Sequence, residues 1–170
     1  MNEFKFEQFV EHWAQIYMPM QHVPGAKSKN KRFFFTDTYM GLSDFMASFT
    51  SKTSPCVVME SGHEGMLVRG LDQPRYTLYF LVKADDSQDG FAARAAADQA
   101  KEHMMDFVVY LKKKSETMKE LQHIDVERIA YQTIGPLYNS WYGMYITIED
   151  TRQYTLCVSK DKYSDKLAEK

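Results

Sequence analysis

The sequence is poor in cysteine and has no long apolar run, and both absences exclude classes of protein. Its 170 residues include only two cysteines, Cys56 and Cys157, whose wide separation matches no metal-ligand spacing. Each cysteine lies in an apolar run, so we expect two buried thiols and no disulfide framework. No segment reaches the ~20 apolar residues of a membrane span. Residues 1–10, which include Glu3 and Glu7, are not typical of a signal peptide. The expectation is an intracellular, soluble protein without a membrane partner.

An excess of charge of either sign is also missing. The formal net charge is -2 and the pI is near 6.2, which gives no electrostatic reason for nucleic acid to be the main partner. Apolar residues make up 44% of the chain and charged residues 26%, as in ordinary globular proteins. A chain of this length builds one domain with a substantial core. A single domain spanning residues 1–170 is therefore predicted.

Signatures of catalysis are missing as well. The sequence contains no Gly-x-Ser-x-Gly elbow and no glycine-rich phosphate loop. None of the five histidines has a second histidine or a cysteine at metal-ligand spacing. His63 and Glu64, in a turn flanked by glycines, are the best acid–base candidates, and an enzyme that uses them stays an alternative. His103 and Asp106 share a helix face, which indicates a surface polar pair. We predict no catalytic residue, no metal and no cofactor.

The first part of the chain is predicted to hold two helices and a short strand. Apolar residues at helical spacing predict an N-terminal helix over residues 1–18, which Pro19 ends. A loop with a basic run follows, from Pro19 to Arg32. Phe33–Phe35 is predicted to be either a short buried strand or a plug between elements. Apolar spacing then predicts a second helix over Met40–Thr50.

Three strands are predicted next, over Cys56–Met59, Gly65–Arg69 and Arg75–Lys83. Turns are expected at Ser61–Gly65 and at Leu71–Pro74, where glycine or proline is present. The third of these strands has apolar residues at both odd and even positions. This pattern is typical of a central strand that is covered on both faces.

The longest predicted element is an amphipathic helix over about Asp86 to Leu121. Residues 85–87 supply capping oxygens and negative charge at its start. Thr117 and Glu120 have capping-box spacing, so the helix either continues past Ser115 or breaks there. Its apolar stripe consists of Ala93, Ala96, Ala100, Met104, Phe107, Val108 and Leu111.

The last part of the chain predicts three more strands. These are Ile124–Tyr131, a strand that begins at Met144, and Tyr154–Val158, with a loop at Gly135–Gly143 between the first two. The charged tail, residues 160–170, is expected to fray. Together the elements predict an α+β domain, mainly an antiparallel sheet with one long helix packed on it and an N-terminal helix.

Three aromatic residues in the loop Gly135–Gly143 are the predicted partner-binding residues: Tyr138, Trp141 and Tyr142. Tyrosine and methionine, of which the chain has eleven each, are enriched in protein contact surfaces because they bury large areas and adapt their shape. For Trp141 and Tyr142, the most plausible exposed anchors, the alternative is that their rings pack back over the edge of the sheet.

Two features of the chain carry a resemblance to a known class of proteins. One is the long alanine-rich helix after a tyrosine-rich strand, and the other is the segment Gly-Pro-Leu-Tyr-Asn-Ser-Trp-Tyr-Gly before an alternating strand. Together they resemble small tail proteins of bacteriophages and prophages. The resemblance is to the tail-terminator or minor-tail kind and covers about residues 56–158. The second helix and the strand pair over residues 144–158 are more elaborate than in the simplest members of that class.

This resemblance implies a non-enzymatic α+β assembly subunit that forms a ring with copies of itself or binds other tail proteins. It implies a place in the bacterial cytoplasm or in the virion. It also implies that Tyr138, Trp141 and Tyr142 contact one neighbouring subunit and that the loop Pro19–Arg32 reaches a second. The alternative function is a small-ligand or peptide-binding module. Its apolar pocket, between sheet and helix, would be lined by Tyr76, Phe80 and Met104.

Overall fold

In the part of the chain that the structure describes, α1 and α2, whose bounds are given below, pack on one face of a seven-stranded sheet. The computed structural model describes residues 5–25, 30–36, 46, 49–50, 53–60, 64–68, 71–85, 89–138, 140–151 and 154–155. In chain order the elements are α1 (Phe6–Ile16), β1 (Phe33–Thr36), β2 (Cys56–Glu60), β3 (Glu64–Val68), β4 (Leu71–Lys83), α2 (Gly90–Ser115), a 3-10 helix (Lys119–Leu121), β5 (Ala130–Leu137), β6 (Trp141–Glu149) and β7 (Tyr154–Thr155).

The sheet is antiparallel apart from one strand pair. Its main order is β1-β2-β4-β6-β5, and both β3 and β7 pair with β4. Only β1 and β2 run parallel among these pairs. The longest strand, β4, therefore lies in the middle of the sheet, as its apolar residues on both faces predict. The predicted α+β class, with one long helix on an antiparallel sheet and an N-terminal helix, is confirmed.

Helix α1 forms because its apolar residues recur at helical spacing, which places most of them against the sheet and α2. Its buried residues are Phe6, Phe9, Val10, Trp13 and Ala14. Ile16, at the last position of the helix, is the exception, since it is 51% exposed. The helix ends at Ile16, and Tyr17 after it is extended, so the chain leaves the helix before it reaches Pro19, which cannot continue a helix.

Helix α2 begins at a different cap from the predicted one. The side chain of Asp89 accepts a hydrogen bond from the backbone N–H of Phe91 at 2.9 Å, so the acceptor at the N-cap is Asp89 and not a residue of 85–87. Small residues Ala96 and Ala100 are buried near its start, and Met104, Phe107 and Leu111 are buried further along. The small side chains let the first half of the helix approach the sheet closely.

The end of α2 settles the question that the sequence leaves open. The helix stops at Ser115, and a separate 3-10 helix begins at Lys119. Thr117 does not cap the 3-10 helix, because the N-cap residue of that helix is Met118. The hydroxyl of Thr117 instead donates to the carbonyl oxygen of Lys114. Lys112 and the two lysines after it lie in the last turn of α2, where they interact favourably with the helix dipole.

Two apolar clusters cover opposite faces of the sheet. The helix-side cluster joins α1 and α2 to Leu78, Phe80 and the inward-facing residues of β6. The second cluster lies on the far face and contains Phe34, Met46, Cys56, Val58, Tyr79, Leu81 and Trp141. Successive residues of β4 alternate between the two clusters because side chains in a strand point to opposite faces. Cys56 is a buried free thiol, as predicted.

Three predicted boundaries are wrong. Leu71–Pro74 is the first part of β4 and not a turn, with Pro74 opposite Gly65 on β3. The predicted strand Ile124–Tyr131 begins only at Ala130. The predicted loop Gly135–Gly143 is largely strand, since β5 continues to Leu137 and β6 begins at Trp141.

Several predictions fall outside the described residues and stay predictions. They concern the second helix over Met40–Thr50, of which only residues 46 and 49–50 are described, the thiol of Cys157 and the tail over residues 160–170.

Candidate functional site

The three predicted partner-binding residues lie in one hairpin but have three different environments. The hairpin joins β5 to β6, and Tyr138 lies in its turn with a positive φ of 43°. The side chain of Tyr138 is 57% exposed. Of the three aromatic residues, Tyr138 is therefore the most accessible to a partner.

Trp141 is buried, and the expectation that it is an exposed anchor is wrong. Its side chain is 1% exposed and belongs to the second apolar cluster. The ring of Phe49 meets it edge to face, with ring centroids 5.6 Å apart. Because β6 begins at Trp141, the next residue, Tyr142, points to the opposite face. There it is partly buried against a small cluster that includes Ala96 and Ala100 of α2. For both rings the alternative prediction holds, packing against the sheet.

Strand β5 forms one edge of the sheet in the described part of the chain, and most of its residues are exposed. On its outer side β5 has no strand partner within the described part of the chain. The five residues Ala130 to Ile134 include neither a charged residue nor a proline. Tyr131 is 53% exposed and faces the helix side, since the ammonium group of Lys101 on α2 lies 5.3 Å from the centre of its ring.

The neighbouring flank of α2 continues this apolar surface. Met105 lies one helical turn after Lys101 and therefore on the same side of α2, and it is about half exposed, as is Val109 one turn later. Further along, Lys112 forms an ion pair with Glu127 at 2.9 Å. We call Tyr131, Met105, Val109 and the outer edge of β5 the β5 surface.

A polar groove lies on the opposite face of the sheet, away from α2. It has a volume of about 530 Å³. The polar side chains that line it come from β2, β4, β5 and β6, and they are Glu60, Thr77, Tyr79, Gln132, Tyr145 and Thr147. The groove borders the second apolar cluster, to which Tyr79 also belongs. Four strands, from distant parts of the chain, are needed to form the groove.

Two tyrosine hydroxyls donate hydrogen bonds inside the groove. Tyr79 donates to a carboxylate oxygen of Glu60 at 2.8 Å, and both residues are buried. Tyr145 donates to the amide oxygen of Gln132 at 2.5 Å. The two tyrosine rings lie 5.8 Å apart at an angle of 41°. The hydrogen atoms of both hydroxyls are therefore engaged, and their oxygens keep acceptor capacity.

A second polar cluster joins the end of α1 to α2. The hydroxyl of Tyr17 donates to Asp106 at 2.6 Å and lies 2.9 Å from Nδ1 of His103. Since the one hydroxyl hydrogen goes to Asp106, Nδ1 of His103 is the donor to the Tyr17 oxygen. The expectation of a surface pair is wrong for His103, whose side chain is 5% exposed.

The electrostatics of this cluster favour neutral side chains. Burial lowers the pKa of His103, and Glu102 and Asp106 oppose the shift. Burial also raises the pKa of Tyr17, as does its hydrogen bond to Asp106. These hydrogen bonds tie Tyr17, the residue that follows α1, to α2.

His22 makes a comparable connection in the predicted loop Pro19–Arg32. Its Nδ1 accepts from the backbone N–H of Arg32 at 2.9 Å and of Phe33 at 3.3 Å. Its Nε2 lies 3.2 Å from the carboxylate of Glu11 on α1. His22 is buried, so the described part of this loop is fixed between α1 and β1 by a residue that its turn-rich composition does not reveal.

The residues proposed for an apolar pocket belong to the core. Phe80 and Met104 are fully buried in the helix-side cluster. Tyr76 packs against the ring of Phe6, with centroids 4.7 Å apart. Side chains of α1 fill the space between sheet and helix where the alternative function places an apolar pocket. The prediction of a pocket lined by these three residues is therefore wrong.

The acid–base candidate His63–Glu64 lies at the limit of what is described. Glu64 is the first residue of β3, opposite Arg75, and His63 lies outside the described residues. Among the residues that are described, no three His, Cys, Asp or Glu side chains are grouped so that they could hold a metal ion. In the same part of the chain, no helix combines the length and the apolar character needed to cross a membrane.

Comparison with known proteins assigns the chain to no family. No family model matches it, and no curated protein sequence matches it either.

The groove is the feature that sequence reasoning missed. Its signal is present in two strands, because Thr77 and Tyr79 alternate with apolar residues, as do Tyr145 and Thr147. This pattern predicts a polar half of a sheet face. The residues that complete the groove, Glu60 and Gln132, have no local pattern that connects them to these strands.

Proposed function

We propose that this chain is a non-enzymatic structural subunit that assembles through protein–protein contacts. The observation that carries the proposal is the β5 surface, an uncharged edge strand beside exposed apolar side chains. Edge strands in monomeric proteins are usually protected by charged residues or proline, because their free backbone groups pair readily with another chain. The part of β5 from Ala130 to Ile134 has neither.

The side chains next to this edge favour a protein partner. Tyr131, Met105 and Val109 are each about half exposed, and tyrosine and methionine are typical of the centre of protein interfaces. Strand pairing at β5 would supply backbone hydrogen bonds, and these side chains would supply apolar contact area. Tyr138, at the tip of the same hairpin, extends the surface.

The finer proposal is a tail protein of a phage or prophage, which assembles with copies of itself or with other tail proteins. It rests on the resemblance of the long helix and the segment Gly135–Gly143 to that class. The two edges of the sheet are formed by different strands, so one edge of a subunit could contact the other edge of the next subunit. Such head-to-tail contacts close into a ring when the rotation between neighbouring subunits permits it. In this arrangement Tyr138 contacts the neighbour, and Trp141 contributes through folding alone.

The test is the mass of the particle in solution, measured by light scattering over a wide range of protein concentration. We expect a mass above that of the 19.9 kDa chain. Replacing Tyr131 or Met105 by lysine should lower the mass, because a charge at the centre of the interface would have to be desolvated.

The matched control is Met18→Lys. Met18 is 73% exposed and lies after α1, outside the β5 surface, so this variant should keep the mass of the parent. A monomer at every concentration would contradict the proposal. So would an oligomer that responds to Met18→Lys and not to Tyr131→Lys or Met105→Lys.

A further inference from the structure

We infer that β5 pairs with β5 of a second copy of this chain, antiparallel to it and related to it by a two-fold axis perpendicular to the sheet. Such pairing rests on the proposed function, assembly through the β5 surface, and specifies both the partner and the symmetry of the contact. Gln132 lies at the axis, opposite Gln132 of the second copy. The contact at this edge is then symmetric and takes the place of a head-to-tail contact.

The hydrogen bonds of the sheet determine which strand each residue of β6 bonds to. Direct pairs in an antiparallel ladder alternate between hydrogen-bonded and non-hydrogen-bonded pairs. Just beyond one end of the β4–β6 ladder, the N–H of Asp150 donates to the carbonyl oxygen of Pro74 at 3.0 Å. Just beyond the other end, the N–H of Ala84 donates to the carbonyl oxygen of Ser140 at 2.8 Å. Even-numbered residues of β6 therefore bond to β4, and odd-numbered residues bond to β5.

In β5, the backbone groups of Tyr131 and Thr133 consequently point away from β6. The odd-numbered residues of β6 lie opposite Ala130, Gln132 and Ile134, which use their N–H and C=O groups there. Within the described part of the chain, Tyr131 and Thr133 have no backbone partner on the outer side. With Gln132 at the axis, Tyr131 of each copy lies opposite Thr133 of the other. Each of these pairs exchanges two bonds, so the joint gains about four backbone hydrogen bonds.

The regular part of β5 selects Gln132 as the central residue. Directly opposite residues of an antiparallel pair point to the same face, so in a two-fold pair with both helices on one side a residue must face its own copy. The pairing of β5 with β6 is regular from Ala130 to Ile134 and irregular after Ile134. With Gln132 at the centre, this whole segment pairs with itself. A shift of the centre by one residue sets part of the segment against the irregular residues or against residues before the strand.

The side chains along the joint are compatible with their own copies. No residue from Ala130 to Ile134 is charged, so two copies bring no like charges together within the strand. The amide oxygen of Gln132 accepts from Tyr145 and has a second lone pair, and the amide nitrogen carries two N–H donors. At the axis the two glutamines form a non-hydrogen-bonded backbone pair, where side chains lie close together. Their amides can therefore donate to each other.

A second copy also covers the apolar side chains of the β5 surface. Helix α2 packs against β4 and β6, and Tyr131 on β5 remains half exposed beside it. The two-fold axis places the second α2 on the same side of the joined sheet. Because neighbouring strands lie about 4.8 Å apart, the two β6 strands would be about 14 Å apart, which leaves a narrow gap between the helices above β5. Tyr131, Met105 and Val109 of both copies face this gap, whereas a partner strand without a helix would leave them exposed.

A disulfide between identical positions tests the symmetry. In a Cys157→Ser background, whose other cysteine is the buried Cys56, Gln132→Cys should give under mild oxidation a covalent dimer of twice the 19.9 kDa chain mass. The Cα atoms of a non-hydrogen-bonded pair lie about 4.5 Å apart, within the range of about 4.4–6.8 Å that a disulfide spans. The control is Ala130→Cys, on the same face of the same strand. Its two copies would lie about 13 Å apart along the joint and should stay reduced.

Thr133→Pro tests the backbone pairing independently. The N–H of Thr133 points outward, so proline removes a donor of the joint and no hydrogen bond of the sheet. By light scattering this variant should be a monomer at concentrations where the parent is a dimer, with the circular dichroism spectrum of the parent. The matched control is Thr133→Val, which keeps the N–H and should remain a dimer.

The results distinguish the two-fold contact from the proposed function. If the parent is an oligomer but Gln132→Cys stays reduced, or Ala130→Cys cross-links equally well, the two-fold contact is wrong and assembly through the β5 surface stands. The same conclusion follows if Thr133→Pro is folded and keeps the mass of the parent; if it does not fold, the two cysteine variants decide. A parent that is a monomer at every concentration refutes both.

Discussion

Replacement of Trp141 by alanine should lower the free energy of unfolding by about 3–5 kcal/mol, the range seen when large buried aromatic residues are truncated. The indole is 1% exposed, and burial of a tryptophan removes roughly 150–250 Å² from water. At about 25 cal/mol per Å² this area corresponds to about 4–6 kcal/mol, part of which alanine retains. A domain has a total stability of about 5–15 kcal/mol, so the variant should be close to the limit of folding.

Urea denaturation followed by circular dichroism measures this loss. With a slope of about 2 kcal/mol per M, the midpoint should fall by about 2 M. The control is Tyr138→Ala in the same hairpin, which removes a ring that is 57% exposed and should change stability by less than about 0.5 kcal/mol. Both variants are measured at a concentration where the parent is dispersed, so that assembly does not contribute.

Fluorescence gives a second measurement of the same prediction. The chain has two tryptophans, and Trp13→Phe leaves Trp141 as the only indole. Its emission should be blue-shifted in the folded state, resistant to quenching by iodide, and red-shifted on unfolding. If Trp141→Ala costs no more than Tyr138→Ala, or if iodide quenches Trp141 as it quenches a free indole, the assignment of Trp141 to the core is wrong.

Two further predictions concern a glycine and a buried histidine. Gly143→Ala should lower the free energy of unfolding, measured by chemical denaturation, by at least about 2 kcal/mol, because the added Cβ would clash with the backbone oxygen of Phe80. The control is Gly90→Ala, where the added Cβ has nothing within 4 Å. This variant should be neutral or stabilising by up to about 1 kcal/mol. Equal effects of the two alanines would refute this. Since burial depresses the pKa of His103 below its ordinary 6.5, the unfolded chain binds more protons in this range, and stability should fall as the pH falls below about 6.5. The His103→Gln variant should lose this dependence and the exposed-site control His12→Gln should keep it; if both variants follow the parent, His103 is not the titrating group.

The helices and the central strands could be predicted because their signals are local. The alanine-to-phenylalanine stripe of α2 repeats at helical spacing, and β4 carries apolar residues on both faces, so class and layer order follow from neighbouring residues. The break after Ser115 could not be predicted, because a capping-box spacing at Thr117 is compatible with both outcomes. Packing of Leu121 and Ile124 in the helix-side core accompanies the change of chain direction there.

The hairpin between β5 and β6 was predicted poorly because of two residues that are typical of turns. Gly135 and Pro136 predict a loop, but they lie at an irregularity in the strand pairing between Ile134 and Leu137. Strands admit both residue types at such a position. Gly135 has a φ of 130°, which a residue with a side chain rarely adopts. Because β6 begins at Trp141, the pairing from that residue onward sets the face of the sheet that each later side chain occupies. A shift of the pairing by one residue would move every side chain of the strand to the opposite face.

By itself, the sequence determined the α+β class, the long helix with its apolar stripe and the central position of β4. These features follow from spacing along the chain. Tertiary structure decided that Trp141 is core, that Tyr17 bridges His103 and Asp106, and that Glu60, Tyr79, Gln132 and Tyr145 share one groove. Each of these arrangements joins residues far apart in the chain, and strand pairing, which sets their register, is a property of two segments at once.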